Sequence, residues 1–238
     1  MFGVLGGMGP LAGVDLMRRI IAFTPASKDQ NHIPLVTYSV PQIPDRSAAI
    51  VGAGLSPLAA MAAGVQVLDA AGAVEIAIAC CTAHHWHAQL SATTSRRILH
   101  VADALEEELA RRDLRSGVVG LLATEGTLVS GFLQRRLAAA DLRTVTLDEV
   151  ELRQLFDPGI ALIKKGQIAE GGALLKPAAE RLLGKGAEQL ILGCSELGLV
   201  LNDHSGVCVD TMDALARHCV TRWRLVDAVG AEGVAVAG

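Results

Sequence analysis

Two cysteines occupy matching places in two similar segments of the chain. Residues 76–82 (IAIACCT) resemble residues 190–196 (LILGCSE), and this match aligns Cys80 with Cys194. Each cysteine follows an apolar run that is typical of a buried strand. Because ligands of open α/β sheets bind at the carboxyl ends of the strands, we expect the two thiols to reach one cleft from opposite sides.

Two facing thiols suit the inversion of a carbon atom that carries a hydrogen. One thiolate removes the proton from one face and a thiol on the other face delivers a new one, so the two groups exchange roles between the two directions. A free thiol has a pKa of ~8.5, so we expect a helix N-terminus beside each cysteine to lower that pKa. The glycine-rich turn at residues 6–9 would supply backbone N–H groups to hold the carboxylate of the carbanion intermediate.

The N-terminal segment has the pattern of a strand, a glycine-rich turn and a helix. Residues 2–5 are apolar, and Pro10 suits the first turn of a helix, where its missing N–H is not needed. Apolar residues then recur at helical spacing, which predicts a buried stripe with charged residues outside it. The expected stripe is Leu11, Val14, Met17 and Ile21, and the expected outer residues are Asp15, Arg18 and Arg19.

Strands and helices alternate along the rest of the chain. Apolar runs such as residues 118–122 show little two-residue alternation, while helical patterns cover about residues 97–111 and 127–139. This pattern indicates an α/β fold whose parallel sheets are covered by helices on both faces.

A second internal match supports two similar halves. Residues 3–9 (GVLGGMG) resemble residues 120–126 (GLLATEG) at nearly the same offset as the two cysteine segments. We therefore expect two similar doubly wound domains with parallel sheets, related by a pseudo-twofold axis, with the active site in the cleft between them. The first domain would contain residues 1–99 and 211–238, and the second residues 100–210.

The composition argues against several classes of function. The chain has 238 residues, a formal net charge of −4 and 3% aromatic residues, so neither nucleic acid nor an anionic membrane is an expected partner. The apolar stretch at residues 58–79 is interrupted by polar side chains and is no membrane span. We expect a cytoplasmic protein without a signal peptide. An odd number of cysteines, five, favours free thiols over a disulfide framework.

Five motifs, in order, resemble those of the aspartate/glutamate racemase family. They are GGMGP at residues 6–10, PDR at 44–46, ACCTAH at 79–84, GLLATEGT at 120–127 and LGCSEL at 192–197. The resemblance covers most of the chain. It implies racemisation of acidic amino acids by two cysteines without pyridoxal phosphate or any other cofactor, usually in a homodimer.

The resemblance also assigns roles to individual residues. Cys80 and Cys194 would be the two bases, Arg46 would bind the distal carboxylate of the substrate, and Lys164 would assist it. Glu196 would orient or polarise Cys194. The remaining substrate-binding residues would be Met8, Gly9, Cys81, Thr82, Thr124, Thr127 and Ser195.

One residue departs from the family pattern and keeps alternatives open. Cys81 stands where the family usually has an asparagine, and a thiol is a poorer hydrogen-bonding partner for an α-amino group. A third thiol near the site would also favour sensitivity to oxidation. A maleate-type cis–trans isomerase, whose substrate has no amino group, is therefore the main alternative. A malonate-type decarboxylase needs only one thiol, and a non-catalytic dicarboxylate-binding protein needs none.

Two other patterns carry less weight. His84, His85 and His87 suggest a metal site, but neighbours in sequence point in different directions on a helix, so no metal is expected. Residues 6–9 lack the full GxGxxG pattern, and no acidic residue ends the second strand near Tyr38, so no dinucleotide is expected.

Overall fold

The computed structural model describes residues 1–201 and 206–235. They form two four-stranded sheets in which every strand pairing is parallel. The first sheet contains β1 (Phe2–Gly6), β2 (Leu35–Ser39), β3 (Glu75–Ile78) and β4 (Arg97–Ile98). The second contains β5 (Gly117–Leu122), β6 (Leu142–Thr146), β7 (Gln189–Leu192) and β8 (Cys208–Asp210).

The two sheets have the same topology. Their strand orders are β2-β1-β3-β4 and β6-β5-β7-β8, so β5 corresponds to β1 and β7 to β3. Cys80 therefore follows the third strand of one sheet, and Cys194 follows the third strand of the other. The predicted α/β class and its internal repeat are confirmed. The boundaries proposed for the two domains stay a prediction.

Helices cover both sheets. They are α1 (Pro10–Phe23), α2 (Arg46–Ile50), α3 (Leu58–Ala70), α4 (His87–Ser91), α5 (Val101–Arg111), α6 (Glu125–Ser130), α7 (Phe132–Ala139), α8 (Glu149–Glu151), α9 (Asp157–Lys164), α10 (Ile168–Gly184) and α11 (Thr211–Ala235). A π-helical turn, Leu152–Phe156, joins α8 to α9. Within the described ranges, no helix is long and apolar enough to cross a membrane.

Two predicted helices differ from the observed ones. Arg97–Ile98 is a strand because it pairs with β3, and the helix begins only after His100, whose Nδ1 accepts the N–H of Ala102 at 3.0 Å. The helix expected over residues 127–139 is interrupted at Gly131, whose φ of +67° is left-handed. The break separates α6 from α7, and α6 starts directly at the Thr124 cap.

The orientation predicted for α1 is wrong. Leu11, Val14 and Ile21 are exposed, whereas Asp15 and Arg19 are buried. The reason is that the inner face of α1 packs against both its own sheet and α11, and the charged pair finds partners there. Only Arg18 lies outside as expected, with 63% of its side chain exposed.

An apolar seam joins the two halves. Ala77 and Ala79 of the first half belong to one buried cluster with Leu121, Ile191 and Val209 of the second. Helix α11 closes the arrangement, because it continues directly from β8 and packs on α1 and α5. The seam and α11 thereby fix the carboxyl ends of β3 and β7 relative to each other.

Candidate active site

Cys80 and Cys194 line the same cavity. Each residue is 5% exposed, and the cavity together with its open mouth spans about 300 Å³. Its walls come from both halves of the chain, which agrees with the cleft expected from the sequence. The lining residues are Met8, Asp45, Arg46, Ser47, Cys80, Cys81, Thr82, Thr124, Lys164, Cys194, Ser195 and Glu196.

All of the residues predicted for the site line this cavity except two. Gly9 lies one layer behind, where its N–H donates to Glu196 Oε1 at 3.3 Å. Thr127 is fully buried behind Thr82 and Thr124. Both of these residues therefore hold a cavity residue in place.

The sequence reasoning missed Asp45 and Ser47. Asp45 caps the N-terminus of α2 by accepting the N–H of Ala48 at 2.8 Å, and an aspartate directly before a short helical segment is a recognisable cap signal. Ser47 had no such signal. It enters the site because α2 approaches α6 of the other half so closely that a Cβ at Gly126 would lie 2.6 Å from Ser47 Cα.

Glu196 is the polar centre of the Cys194 side of the cavity. Its side chain is buried, and its Oε2 accepts hydrogen bonds from Cys194 Sγ at 3.1 Å and from Ser195 Oγ at 2.9 Å. Its Oε1 accepts the N–H of Gly9, so the carboxylate also links the glycine-rich turn of the first half to the second cysteine.

This environment keeps Cys194 protonated. Burial raises the pKa of the Cys194 thiol well above its ordinary value, and the Glu196 carboxylate raises it further, while Lys164 opposes the shift. The lowering expected from a helix N-terminus is therefore wrong for this cysteine. The segment after it contains only a single 3-10 turn, Leu197–Leu199, whose dipole is too short to offset burial beside a carboxylate. Cys194 is therefore a neutral thiol in this site.

Arg46 supplies a cation whose hydrogen-bonding capacity is only partly used. Its Nη1 donates to the carbonyls of Ile43 and Pro44 at 3.2 and 3.0 Å, and its Nη2 donates to the carbonyl of Met8 at 3.2 Å. The Nε–H is buried without a partner among the described residues. A guanidinium has five N–H donors, and three of them make these bonds. The two that are left, Nε–H and one Nη2–H, lie on the same edge of the group and match the two oxygens of a carboxylate.

Lys164 reaches the cavity from the opposite half. It is the last residue of α9, and the residue as a whole is exposed, so its ammonium lies at the rim. With Arg46 on the first half and Lys164 on the second, each half contributes one cation to the site. Such a pair favours a ligand that carries more than one negative charge.

Three threonine hydroxyls form a closed triangle between the halves. Thr82 of the first half lies 2.9 Å from both Thr124 and Thr127 of the second, and those two lie 3.0 Å apart. Thr124 also caps α6 by accepting the N–H of Thr127. The triangle holds Thr82, which follows Cys80 by two residues, and so fixes this part of the cavity wall.

Cys81 is both a cavity residue and part of the apolar seam. It is 1% exposed and packs in the cluster that joins the halves. Burial raises the pKa of its thiol, and the neighbouring Cys80 raises it further, while a hydrogen bond with Thr211 lowers it. At this position the cavity is bordered by a neutral thiol instead of an amide.

Two histidines near the first cysteine, His84 and His87, are hydrogen-bonded to the backbone. His84 is buried, with Nε2 at 3.3 Å from the carbonyl of Ile78 and Nδ1 accepting the N–H of Val101 at 3.4 Å. Its ring thereby braces the end of β3 against the start of α5. Nowhere in residues 1–201 and 206–235 does a group of three His, Cys, Asp or Glu side chains form a metal site.

Comparison with known proteins identifies the family. Residues 5–219 match the sequence model of the Asp/Glu/hydantoin racemase family. The chain belongs to this family. It is 24% identical over 220 residues to the broad-specificity amino-acid racemase RacX of Bacillus subtilis, a match that covers 91% of this chain and 93% of RacX.

Two further matches are a relative that aligns with only part of the chain and a solved structure with a similar fold. The chain is 40% identical over 83 residues to an uncharacterised protein of Pectobacterium carotovorum and spans 55% of that protein's length. Among solved structures, an aspartate racemase from Picrophilus torridus superposes with a TM-score of 0.79 at 27% identity, covering 90% of each chain. The predicted resemblance and the expectation of a racemase-class enzyme are therefore confirmed at the level of the family.

Proposed function

We propose that this racemase-family enzyme interconverts the L and D forms of aspartate, glutamate or a close relative without a cofactor. Cys80 and Cys194 serve as the two bases. The observation that carries the proposal is that both thiols line one cavity from different halves of the chain, as a two-base inversion requires.

The protonation state of Cys194 decides which thiol acts as the acid and which as the base in the first turnover. Burial and the Glu196 carboxylate raise the pKa of Cys194, so it is a thiol before substrate binds and acts as the acid. Cys80 then removes the α-proton as a thiolate on the opposite face. After one turnover Cys80 carries the proton and Cys194 does not, so the reverse direction uses the same pair with exchanged roles.

Arg46 supports the choice of an acidic substrate. Its free Nε–H edge is buried beside the cavity, where a distal carboxylate would complete its hydrogen bonds. Lys164 at the rim adds a second positive charge. Thr82, Thr124 and Ser195 line the same cavity and shape the pocket for the α-carboxylate, and the backbone near Met8 closes the remaining wall.

A maleate-type cis–trans isomerase is the second candidate, and Cys81 is the observation that favours it. A neutral thiol borders the cavity where an amide would be a better partner for an α-amino group. A dicarboxylate without an amino group would still use the Arg46 edge. Because the relatives that match most of the chain are racemases, we rank this candidate below the racemase.

We further propose that the enzyme acts as a homodimer in the cytosol. The dimer is what the family resemblance implies. The compartment is supported by the five cysteines, all of which are free and buried, as expected for a reducing environment.

Incubation of single enantiomers in deuterated water tests the racemase proposal. Deuterium at Cα together with loss of optical rotation is expected for aspartate or glutamate.

Cys80→Ser and Cys194→Ser should each lower racemisation by a factor of about 10² or more, because one base serves each face. Turnover of maleate without any exchange at Cα of an amino acid would favour the isomerase, and near-normal activity of either variant would refute the two-base assignment.

A further inference from the structure

Helix α1 holds the second half of the chain at two points. At its N-terminal cap, the N–H of Gly9 donates to Glu196. Further along the helix, Arg19 reaches Asp210, which is the last residue of β8. The carboxylate next to Cys194 and the end of the outermost strand of the second sheet are thus fixed by the same helix of the first half.

Arg19 binds three carboxylates in a buried setting. Its Nε donates to Asp15 at 2.6 Å, and its Nη1 donates to Asp210 and Asp213, each at 2.6 Å. The side chain is only 3% exposed, and Asp15 and Asp210 are almost as well buried. Asp210 is also tied to its own backbone, because its Oδ1 accepts the N–H of Met212 at 2.8 Å.

The ion pair packs against the segment that carries Glu196. A Cβ at Gly198 would overlap both Asp210 Oδ2 and Arg19 Nη2, so the pair lies directly against the backbone of Gly198. Gly198 belongs to the 3-10 turn Leu197–Leu199, which begins immediately after Glu196. The buried ion pair is therefore the support beneath the turn that places the Glu196 carboxylate beside the Cys194 thiol.

We propose that Arg19 is a positioning residue for the second base: through Asp210 and Gly198 it sets the place of Glu196, and thereby the aim of the Cys194 thiol at the substrate. The inference rests on the proposed racemase function. None of the five family motifs contains Arg19, and its partners Asp210 and Asp213 lie about 190 residues away in sequence.

A misplaced second base has a distinct kinetic signature. After Cys80 removes the α-proton, the carbanion is either protonated by Cys194, which inverts the centre, or protonated again by Cys80, which retains it. When Cys80 has meanwhile exchanged its proton with deuterated solvent, retention yields deuterated starting enantiomer. Disturbing only the Cys194 side should therefore raise deuterium exchange relative to racemisation, whereas partial unfolding lowers both rates equally.

The test compares Arg19→Lys with Arg18→Gln. Lysine keeps the positive charge but cannot hold three carboxylates in the planar geometry of a guanidinium. We expect Arg19→Lys to lower kcat about tenfold, to change KM by less than about threefold, and to raise the exchange-to-racemisation ratio at least about threefold. Arg18 pairs with the same Asp15 from an exposed position, so Arg18→Gln should leave all three quantities at the wild-type values.

A second variant and a second readout keep the outcome decisive. Gly198→Ala inserts a methyl group between the ion pair and the turn without removing a charge, and it should raise the same ratio. An unchanged ratio in both Arg19→Lys and Gly198→Ala overturns the positioning role while the racemase proposal stands.

If the wild-type enzyme racemises nothing, the proposed function fails. The rate of Cys194 alkylation by iodoacetamide then reports on positioning alone, and an equal rate in wild type and both variants overturns it.

Discussion

The Cys194 thiol donates a hydrogen bond to Glu196 Oε2 across 3.1 Å, inside a region where neither residue is more than 5% exposed. A carboxylate in this position stabilises the thiol and destabilises the thiolate, and the pKa of Cys194 is raised by burial first and by Glu196 second. Glu196 is therefore the charged neighbour that, after burial, most favours the protonated form of Cys194.

Glu196→Gln should lower the pKa of Cys194 and slow racemisation. The amide removes the negative charge, although burial still keeps the pKa above its ordinary value. Each unit by which the pKa falls raises the thiolate fraction about tenfold at a pH below the pKa, and alkylation by iodoacetamide follows that fraction. The measurement is the alkylation rate of Cys194 between pH 7 and 10, read by peptide mass spectrometry.

Cys208 provides an internal standard in the same digest. Burial raises the pKa of its thiol to about 11, and Glu196 is not among the charges that shift it. Its alkylation rate should be the same in wild type and variant. An equal Cys194 rate in the two proteins would remove Glu196 as the cause of the raised pKa.

Arg46→Gln should weaken the binding of acidic substrates with little change in kcat. The variant loses the Nε–H edge that we assign to the distal carboxylate, and a charged hydrogen bond of this kind contributes about 1.5–3 kcal/mol, or roughly 10- to 100-fold in KM. Comparing aspartate with alanine isolates the effect, because alanine has no distal carboxylate. Equal losses for both substrates would mean that Arg46 supports only the loop carbonyls of Ile43, Pro44 and Met8.

The sequence was sufficient for the parts of the site that are local. Cys80 and Cys194 follow equivalent apolar strands, so the internal repeat predicted that the two thiols share a cavity. The resemblance to the family supplied the other residues predicted for the site. Asp45 shows that a local signal can still be overlooked, since it caps a helix inside a motif already recognised.

The parts that depend on non-local partners were not predictable in the same way. The apolar residues of α1 suggested a buried stripe, but Arg19 is drawn inward by Asp210 and Asp213, which are distant in sequence. Arg97–Ile98 has a helical pattern and becomes a strand because β3 offers a free edge. The raised pKa of Cys194 likewise depends on burial, which its neighbours in sequence do not reveal.

Thr127→Val should destabilise the protein although valine has nearly the same shape. The hydroxyl of Thr127 lies 2.9 Å from that of Thr82 and 3.0 Å from that of Thr124, and the residue is fully buried, so the lost partner cannot be replaced by water. We expect a loss of about 1–2 kcal/mol in the free energy of unfolding, measured with urea.

Thr93→Val is the matched control for the threonine triangle. Thr93 also donates one hydrogen bond, to the carbonyl of Leu90 at 2.7 Å, but Thr93 is exposed, and both groups can turn to water. Its loss should be below about 0.5 kcal/mol. Equal losses in the two variants would show that the triangle contributes nothing beyond an ordinary threonine contact.

His100→Asn should make the protein less sensitive to acid. Burial, together with the neighbouring His87, whose ring centroid lies 4.5 Å away, lowers the pKa of His100 to about 4. The unfolded histidine titrates near pH ~6.5, so the unfolded state binds a proton that the folded state refuses. The stability contributed by neutral His100 is therefore complete above pH ~6.5 and is lost as the pH falls from there towards 4.

Asparagine is chosen at position 100 so that the variant loses the titratable group but keeps the cap of α5. His100 caps α5 through Nδ1, and asparagine is a strong N-cap residue with no titration in this range, so the cap is retained. The Tm of wild type should fall more steeply between pH 6.5 and 4.5 than that of His100→Asn, as followed by circular dichroism at matched ionic strength. His85→Asn, at an exposed position in the same segment, should keep the wild-type slope. Parallel curves for wild type and His100→Asn would contradict the prediction, because the acid sensitivity would then come from groups other than His100.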